Sequence, residues 1–393
     1  MTRSVVFALI VGMTCLSLFV SSLSANRYFN NKYDIGIYQL RGSWYLNDQV
    51  PYRDVFSEYP QLATYMFAIP YVISDSNDPT TYRYIFSLIM ALCLALLIKF
   101  VYELRPDKKY LAFLLLLPAS LYFTHNRFDV VPSLFVLLSL KFLFDRNFYR
   151  AFAVLGISVM FKWYALVLLP VYLSYCRNTD NRDIKPLLLA FTVPIALIVL
   201  HSMIWSGWAS FFKPYLYHLE RGTNRENIAF FLKAIFGPIL EQNFDAVTVK
   251  IISVAFLAGF MVLQFTVPFT ALFSKINNRS SLIYWSVAAV ACFMLFAKFY
   301  SPQWILWLSP LLLLMPVNRK LVTLIILFDI FTYLEFPCFF RYWNNEDILL
   351  SNAFYFVVLI RIGILFYIFW DAFSTIRHDM RLPFTGKRKG PVI

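Results

Sequence analysis

Apolar runs of roughly 15 to 25 residues recur from one end of this chain to the other, and a transmembrane helix needs about 20 such residues to cross a hydrocarbon core of about 30 Å. That pattern leaves little room for a water-soluble fold. With 60% of 393 residues hydrophobic and only 15% charged, composition points the same way. Punctuated by charge, the runs fall near 4 to 24, 82 to 103, 110 to 124, 130 to 145, 150 to 161, 163 to 176, 186 to 206, 248 to 273, 281 to 298, 302 to 316, 320 to 337 and 352 to 372. The expected fold is an all-α polytopic membrane protein with about twelve transmembrane helices, give or take two. Residues 61 to 73 are too short to cross and contain Pro70, so they read as a juxtamembrane or re-entrant helix. Arg3, an apolar stretch and a small-residue run ending at Ala25 imitate a secretory signal, yet the length of the stretch favours an uncleaved first helix.

Lysine and arginine of the short loops set the orientation. Arg105, Lys108 and Lys109, Arg146 and Arg150, Arg177, Arg182 and Lys185, Lys275 and Arg279, and Arg319 and Lys320 all fall on the side of both termini. So does the basic tail over 374–393, with Arg377, Arg381, Lys387, Arg388 and Lys389. The positive-inside rule makes that side the cytoplasm. Residues 1–373 then form one transmembrane domain with two long extracytoplasmic loops, 25–81 and 207–247. A net charge of +13 is accounted for by these loops, and nucleic-acid binding has no support. The five cysteines have no metal-type spacing, and HExxH, GxSxG, CxxC and Gly-rich phosphate-loop patterns are missing.

The other face gathers polar groups from remote stretches. The first loop carries Asp34, Asp48, Asp54 and Glu58 among Tyr33, Tyr38, Tyr45, Tyr52 and Tyr59; later come Arg127 and Asp129, Lys162 with Trp163, His218 to Arg221, Lys298 with Tyr300 and Gln303, and Arg341 with Tyr342. Each has an ordinary explanation. Arg127 and Asp129 suit a local ion pair, Lys162 suits a lysine reaching for the interface, His218 a plain loop histidine, and the acids a solvated face. A shared anionic ligand explains better why Arg127, Lys162, Arg221 and Lys298 meet on one face, because ionisable groups at membrane depth are costly unless paired or hydrated. Cations beside a carboxylate suit glycosyl transfer from a lipid phosphate: positive charge receives the departing phosphate and a base takes the proton of the attacking hydroxyl. Aromatic side chains flank sugar rings at headgroup level.

At these residues the sequence resembles the GT-C superfamily of membrane glycosyltransferases, and within it glycosyltransferase family 87, the polyprenyl-phosphate-mannose-dependent type. The matching pieces are YDIGIY at 33 to 38, VPYRDVFSEYPQL at 50 to 62, NRFDVVPSLF at 126 to 135, GISVMFKWYALVLLP at 156 to 170, YHLERGTNREN at 217 to 227 and KFYSPQWILWLSP at 298 to 310. The resemblance implies a GT-C-like helical bundle with the active-site acid in the first extracytoplasmic loop, mapping onto Asp34 as the base, with Asp54 and Glu58 as rivals. It implies Arg127, Lys162, Arg221 and Lys298 as holders of the lipid phosphate, with Asp129, His218, Tyr300, Gln303, Tyr38 and Tyr59 positioning donor or acceptor. Transfer would invert the anomeric centre without cofactor or metal, from a polyprenyl-phosphate sugar to a glycan or glycolipid acceptor. Mannose is the family's sugar; glucose, galactose and arabinose stay open. YPQL lacks a second proline common in the family, and RGTNREN lacks the acidic and serine pair that often follows, departures that bear on acceptor preference.

Two other readings compete. A transporter or flippase of lipid-linked sugars also places charge inside a bundle, but its two matching halves with broken spans are not evident here. In a membrane scaffold, the aromatic first loop would bind protein.

Overall fold

The computed structural model describes residues 3–23, 26–74, 78–208, 212–316, 318–344, 346 and 348–377. The tail residues Arg381, Lys387, Arg388 and Lys389 lie outside the described residues. Helices begin where the sequence offers a capping oxygen: the side chains of Asn31, Asp78, Asp183, Asn227, Asp245, Asn278 and Asn318 accept from the first free backbone amides of the helices they open.

Six helices among the described residues are long and apolar enough to cross a membrane: Pro79–Leu104, Ile184–Ser206, Ala246–Ala271, Arg279–Phe296, Arg319–Tyr342 and Ile348–Ile376. Shorter apolar helices, Ala8–Ser22, Val130–Phe144 and Phe148–Phe161, pack among them. The chain is a multi-pass helical membrane protein. Length and apolarity thus assign six crossings, and the expectation of about twelve rests on segments that are short or broken. Residues 110 to 124 divide at Pro118 into a 3-10 turn, Lys109–Leu116, and a helix, Pro118–Asn126. Residues 163 to 176 divide into Trp163–Leu168 and Leu169–Asp180, and 302 to 316 into Pro302–Trp304 and Ile305–Leu312.

The loops read from the sequence contain helices too polar or too short to read as spans. Lys32–Ser43 buries Ile35, Tyr38 and Gly42 on one face, a spacing of three and four residues. That face lies on Gln61–Ser74, the segment around Pro70, whose Ala63, Met66 and Phe67 are buried. The second loop holds Lys213–Glu220 and Ile228–Asn243.

Basic loops meet one another at helix ends, where carbonyls carry partial negative charge. Arg279 donates to the Phe144 carbonyl (3.0 Å), Arg177 to that of Leu272 (2.5 Å) and Arg105 to that of Leu313 (3.2 Å). Arg146 pairs with Asp180 (2.7 Å) and Lys320 with Asp371 (3.0 Å). Arg105 closes the helix Pro79–Leu104, near whose start Phe86 packs against Tyr38 with ring centres 5.5 Å apart. At about 1.5 Å per residue, Phe86 and Arg105 are separated by roughly 28 Å along that helix. The groups around Tyr38 therefore sit at the far end of the bundle from Arg105.

Close backbone approach matters at Gly156, where an added Cβ would collide with the Phe191 carbonyl oxygen and press on the Pro194 ring (3.2 Å). Small residues let membrane helices approach this closely. Gly156→Ala is expected to destabilise the chain by about 1–3 kcal/mol, as overpacking does. Gly222→Ala, where a Cβ meets nothing within 4 Å, is the matched control, and the melting temperatures of the two in nanodiscs should separate them.

Candidate active site

Two acid–cation pairs from distant segments form the centre of the candidate site. Asp34 lies in the first turn of Lys32–Ser43 and is ion-paired with Arg127. Asn31, which caps that helix, also donates a side-chain hydrogen bond to Asp34. Asp129 is fully buried; its Oδ1 accepts from Lys162 Nζ (3.1 Å) and from Trp307 Nε1 (2.9 Å), while Oδ2 has no protein partner. Arg127 and Asp129 are thus partners of other segments, not of each other. The reason is local. Arg127 is extended (φ −139°, ψ 159°), whereas Asp129 has already turned into helical backbone (φ −62°, ψ −18°), and this sends the two side chains apart.

Lys162 also turns inward. It sits where the helix Phe148–Phe161 ends in extended backbone, and its ammonium lies 4.6 Å from the Phe128 ring centre and 5.2 Å from that of Tyr59. Aromatic faces and the Asp129 carboxylate together make burial of this charge tolerable. Tyr38, one turn after Asp34, stacks on Phe67 (4.3 Å) and lies within electrostatic range of Asp34, Arg127, Asp129 and Tyr59. Its hydroxyl, like Asp129 Oδ2 and Arg127 Nε, is buried without a protein partner. Such orphaned groups cost about 1–3 kcal/mol each unless a ligand or water meets them.

The rival acids are placed differently. Asp54 is bound by its own neighbour Arg53 (2.8 and 2.9 Å) and by the Val50 amide (2.9 Å). Those hydrogen bonds, Arg53 foremost, hold its carboxyl down to about 2. Glu58 is ion-paired with Arg41, whose guanidinium lies 4.8 Å from the Tyr59 ring centre.

A second group of cations stands beside this centre. Lys298 donates to the Leu219 carbonyl (2.6 Å), and Arg221 lies on the Phe299 ring (4.3 Å). Partial burial, and then the nearby Arg221, push the Lys298 ammonium down. Among the described residues neither cation has a carboxylate within ion-pair distance. Their spacing is fixed by asparagines. Asn224 exchanges two hydrogen bonds with the Tyr300 backbone (2.6 and 2.9 Å), and Asn227 donates to the Ala297 carbonyl. Gln303 is buried and accepts from Ser301 (2.6 Å). Tyr300 lies beneath the Arg361 guanidinium (3.7 Å from its ring centre).

His218 links the two groups, bonded through Nε2 to the Glu58 carbonyl oxygen (2.9 Å) and within electrostatic range of Arg221 and Lys162. Burial pushes its imidazole below the ordinary 6.5, Arg221 adds to this, and the bond to Glu58 opposes it. A histidine whose folded value is depressed binds fewer protons than the unfolded chain. Its effect on stability is nil above about pH 6.5 and turns unfavourable as pH falls through that value. The melting temperature is expected to drop between about pH 6.5 and 5, and to drop less in His218→Gln.

Among the residues the sequence reading missed, Arg41, Trp307 and a buried trio stand out. Arg361 and Glu335 pair at 2.6 Å with side chains 1% and 0% exposed, and Arg361 also donates to the Glu226 carbonyl. Burial, and then Glu335, raise the Glu226 carboxyl. Among the described residues no group of three or more His, Cys, Asp or Glu side chains is placed to hold a metal ion.

Over 203 residues the chain is similar to a mannosyltransferase. The relative is a GPI mannosyltransferase 1 of Candida albicans (strain SC5314 / ATCC MYA-2876), 24% identical over 47% of this chain. The match covers 48% of that protein, so the chain spans about half the length of the curated relative it matches. No protein-family model matches the chain.

Proposed function

We propose that this chain is a GT-C-type membrane glycosyltransferase that moves a hexose from a polyprenyl-phosphate sugar to a glycan or glycolipid acceptor on the extracytoplasmic face. The observation that carries the reading is the meeting of Asp34–Arg127 and Asp129–Lys162 beside the pair Arg221 and Lys298, which has no carboxylate partner among the described residues. The likeness to a mannosyltransferase supports sugar transfer and makes mannose the first sugar to test. The separation of this end of the bundle from the basic loops supports the extracytoplasmic side, with both termini cytoplasmic.

In this reading Asp34 is the base. An acceptor oxygen forms its bond to the anomeric carbon on the face opposite the phosphate, and its proton passes to the Asp34 carboxylate. The bond from the anomeric carbon to the phosphate oxygen breaks with both electrons remaining on the phosphate, so the centre inverts. Arg221 and Lys298 receive that charge. Arg127 and Lys162, already committed to carboxylates, orient Asp34 and Asp129. The unpartnered Asp129 Oδ2 and Tyr38 hydroxyl are available to sugar hydroxyls.

The deciding experiment is reconstitution in vesicles with polyprenyl-phosphate mannose and a membrane extract as acceptor source. Free polyprenyl phosphate is expected to appear in step with a glycan lengthened by one hexose, read by mass spectrometry. Sugar-lipid that crosses the bilayer uncleaved would instead make the chain a flippase.

A further inference from the structure

A cavity of about 340 Å³ opens beside the turn that carries Asp34, lined by Arg27, Lys32 and Arg341 together with Asn31, Tyr122 and Phe336 and by neither Arg221 nor Lys298. Its volume lies within the range of small-molecule sites. Three chain segments supply the three cations: the turn after the first helix, the first turn of Lys32–Ser43, and the 3-10 turn Phe340–Tyr342. Arg27 donates to the Tyr28 hydroxyl (2.8 Å) and Arg341 to that of Tyr342, both neutral partners. Among the described residues no carboxylate lies within ion-pair distance of any of the three.

The rim is built, not loose. Asn31's backbone N–H donates to Asn126 Oδ1 (2.6 Å), the Asn126 side chain donates back to the Phe29 carbonyl (2.8 Å), and Tyr333 donates to the Tyr28 carbonyl (2.8 Å). Two links join cavity and carboxylate. Asn31 lines the cavity while its side chain holds Asp34, and Tyr122 lies within electrostatic range of both Asp34 and Arg127.

We infer that this cavity is the acceptor subsite and that the acceptor is acidic, carrying a carboxylate or phosphate close to the hydroxyl that is glycosylated. The inference rests on Asp34 as the base, since the hydroxyl losing its proton must lie against that carboxylate. The three cations hold the acid group, and the Tyr122 and Phe336 rings flank the sugar.

The full chain in nanodiscs of zwitterionic lipid is titrated with dodecyl glucoside, dodecyl glucuronide and dodecyl glucoside 6-phosphate. At least one acidic probe is expected to bind about tenfold more tightly than the glucoside, as two or three partly exposed charge contacts provide. Which acidic probe is preferred distinguishes carboxylate from phosphate. The preference should shrink in Lys32→Gln, vanish in Arg27→Gln/Lys32→Gln/Arg341→Gln, and persist in Arg221→Gln/Lys298→Gln. Equal binding of all three probes by the native chain, survival of the preference in the triple variant, or competition by farnesyl phosphate would overturn the assignment. Asp34→Asn keeps the probe preference if the subsite is right, so undiminished transfer by that variant would sink the base and not the cavity's affinity for acids.

Discussion

Asp34→Asn is expected to lower sugar transfer by about a thousandfold, within the range a positioned general base contributes. The substitution keeps the side chain's shape and removes its capacity to take a proton. It also strands the Arg127 guanidinium, which is only 12% exposed, so the variant is expected to melt lower than the native chain. Adding Arg127→Gln removes the stranded charge, and the double variant should recover most of the melting temperature while transfer stays abolished. Released polyprenyl phosphate and lengthened acceptor give the rate. Asp54→Asn serves as the comparison, because Asp54 is tied to its own neighbour, and it should retain transfer within about threefold. Near-native turnover by Asp34→Asn would move the role to Asp54 or Glu58.

The other large effect is structural. Arg361→Met should destabilise the chain by about 3–5 kcal/mol, because it leaves the Glu335 carboxylate buried without its partner. Replacing both, Arg361→Met with Glu335→Leu, is expected to recover most of that loss, since two apolar side chains of similar volume need no desolvated charge. Thermal unfolding in nanodiscs tests both, and a single variant as stable as the native chain would show the pair to be energetically idle. Arg361 also holds the Glu226 carbonyl, so its loss loosens the segment that carries Arg221. Transfer by Arg361→Met at a temperature where it remains folded should show a raised KM for the lipid donor before any fall in kcat.

Much of the architecture was written in hydropathy, because a run of apolar residues in lipid has few folds open to it. The amphipathic helix Lys32–Ser43 was hidden by its polarity, although Asn31 followed by Asp34 already carried a capping signal. Which groups gather at one end was legible from charge placed on alternate sides of spans. Which acid meets which cation was not, since pairing depends on where the backbone turns at Arg127 and Lys162. Arg361 and Glu335 escaped notice for a different reason. A single charge inside a long apolar helix barely lowers its hydropathy, yet an ionisable residue at that depth demands a partner.

The asparagine bonds that fasten 224–227 to 297–300 set a mechanical constraint on how substrate is admitted. Any swing of one strand drags the other with it, so Arg221 and Lys298 travel as the two prongs of a rigid fork. In the proposed transfer such a motion would carry both cations toward or away from Asp34 as one piece, so that the departing phosphate would meet them together.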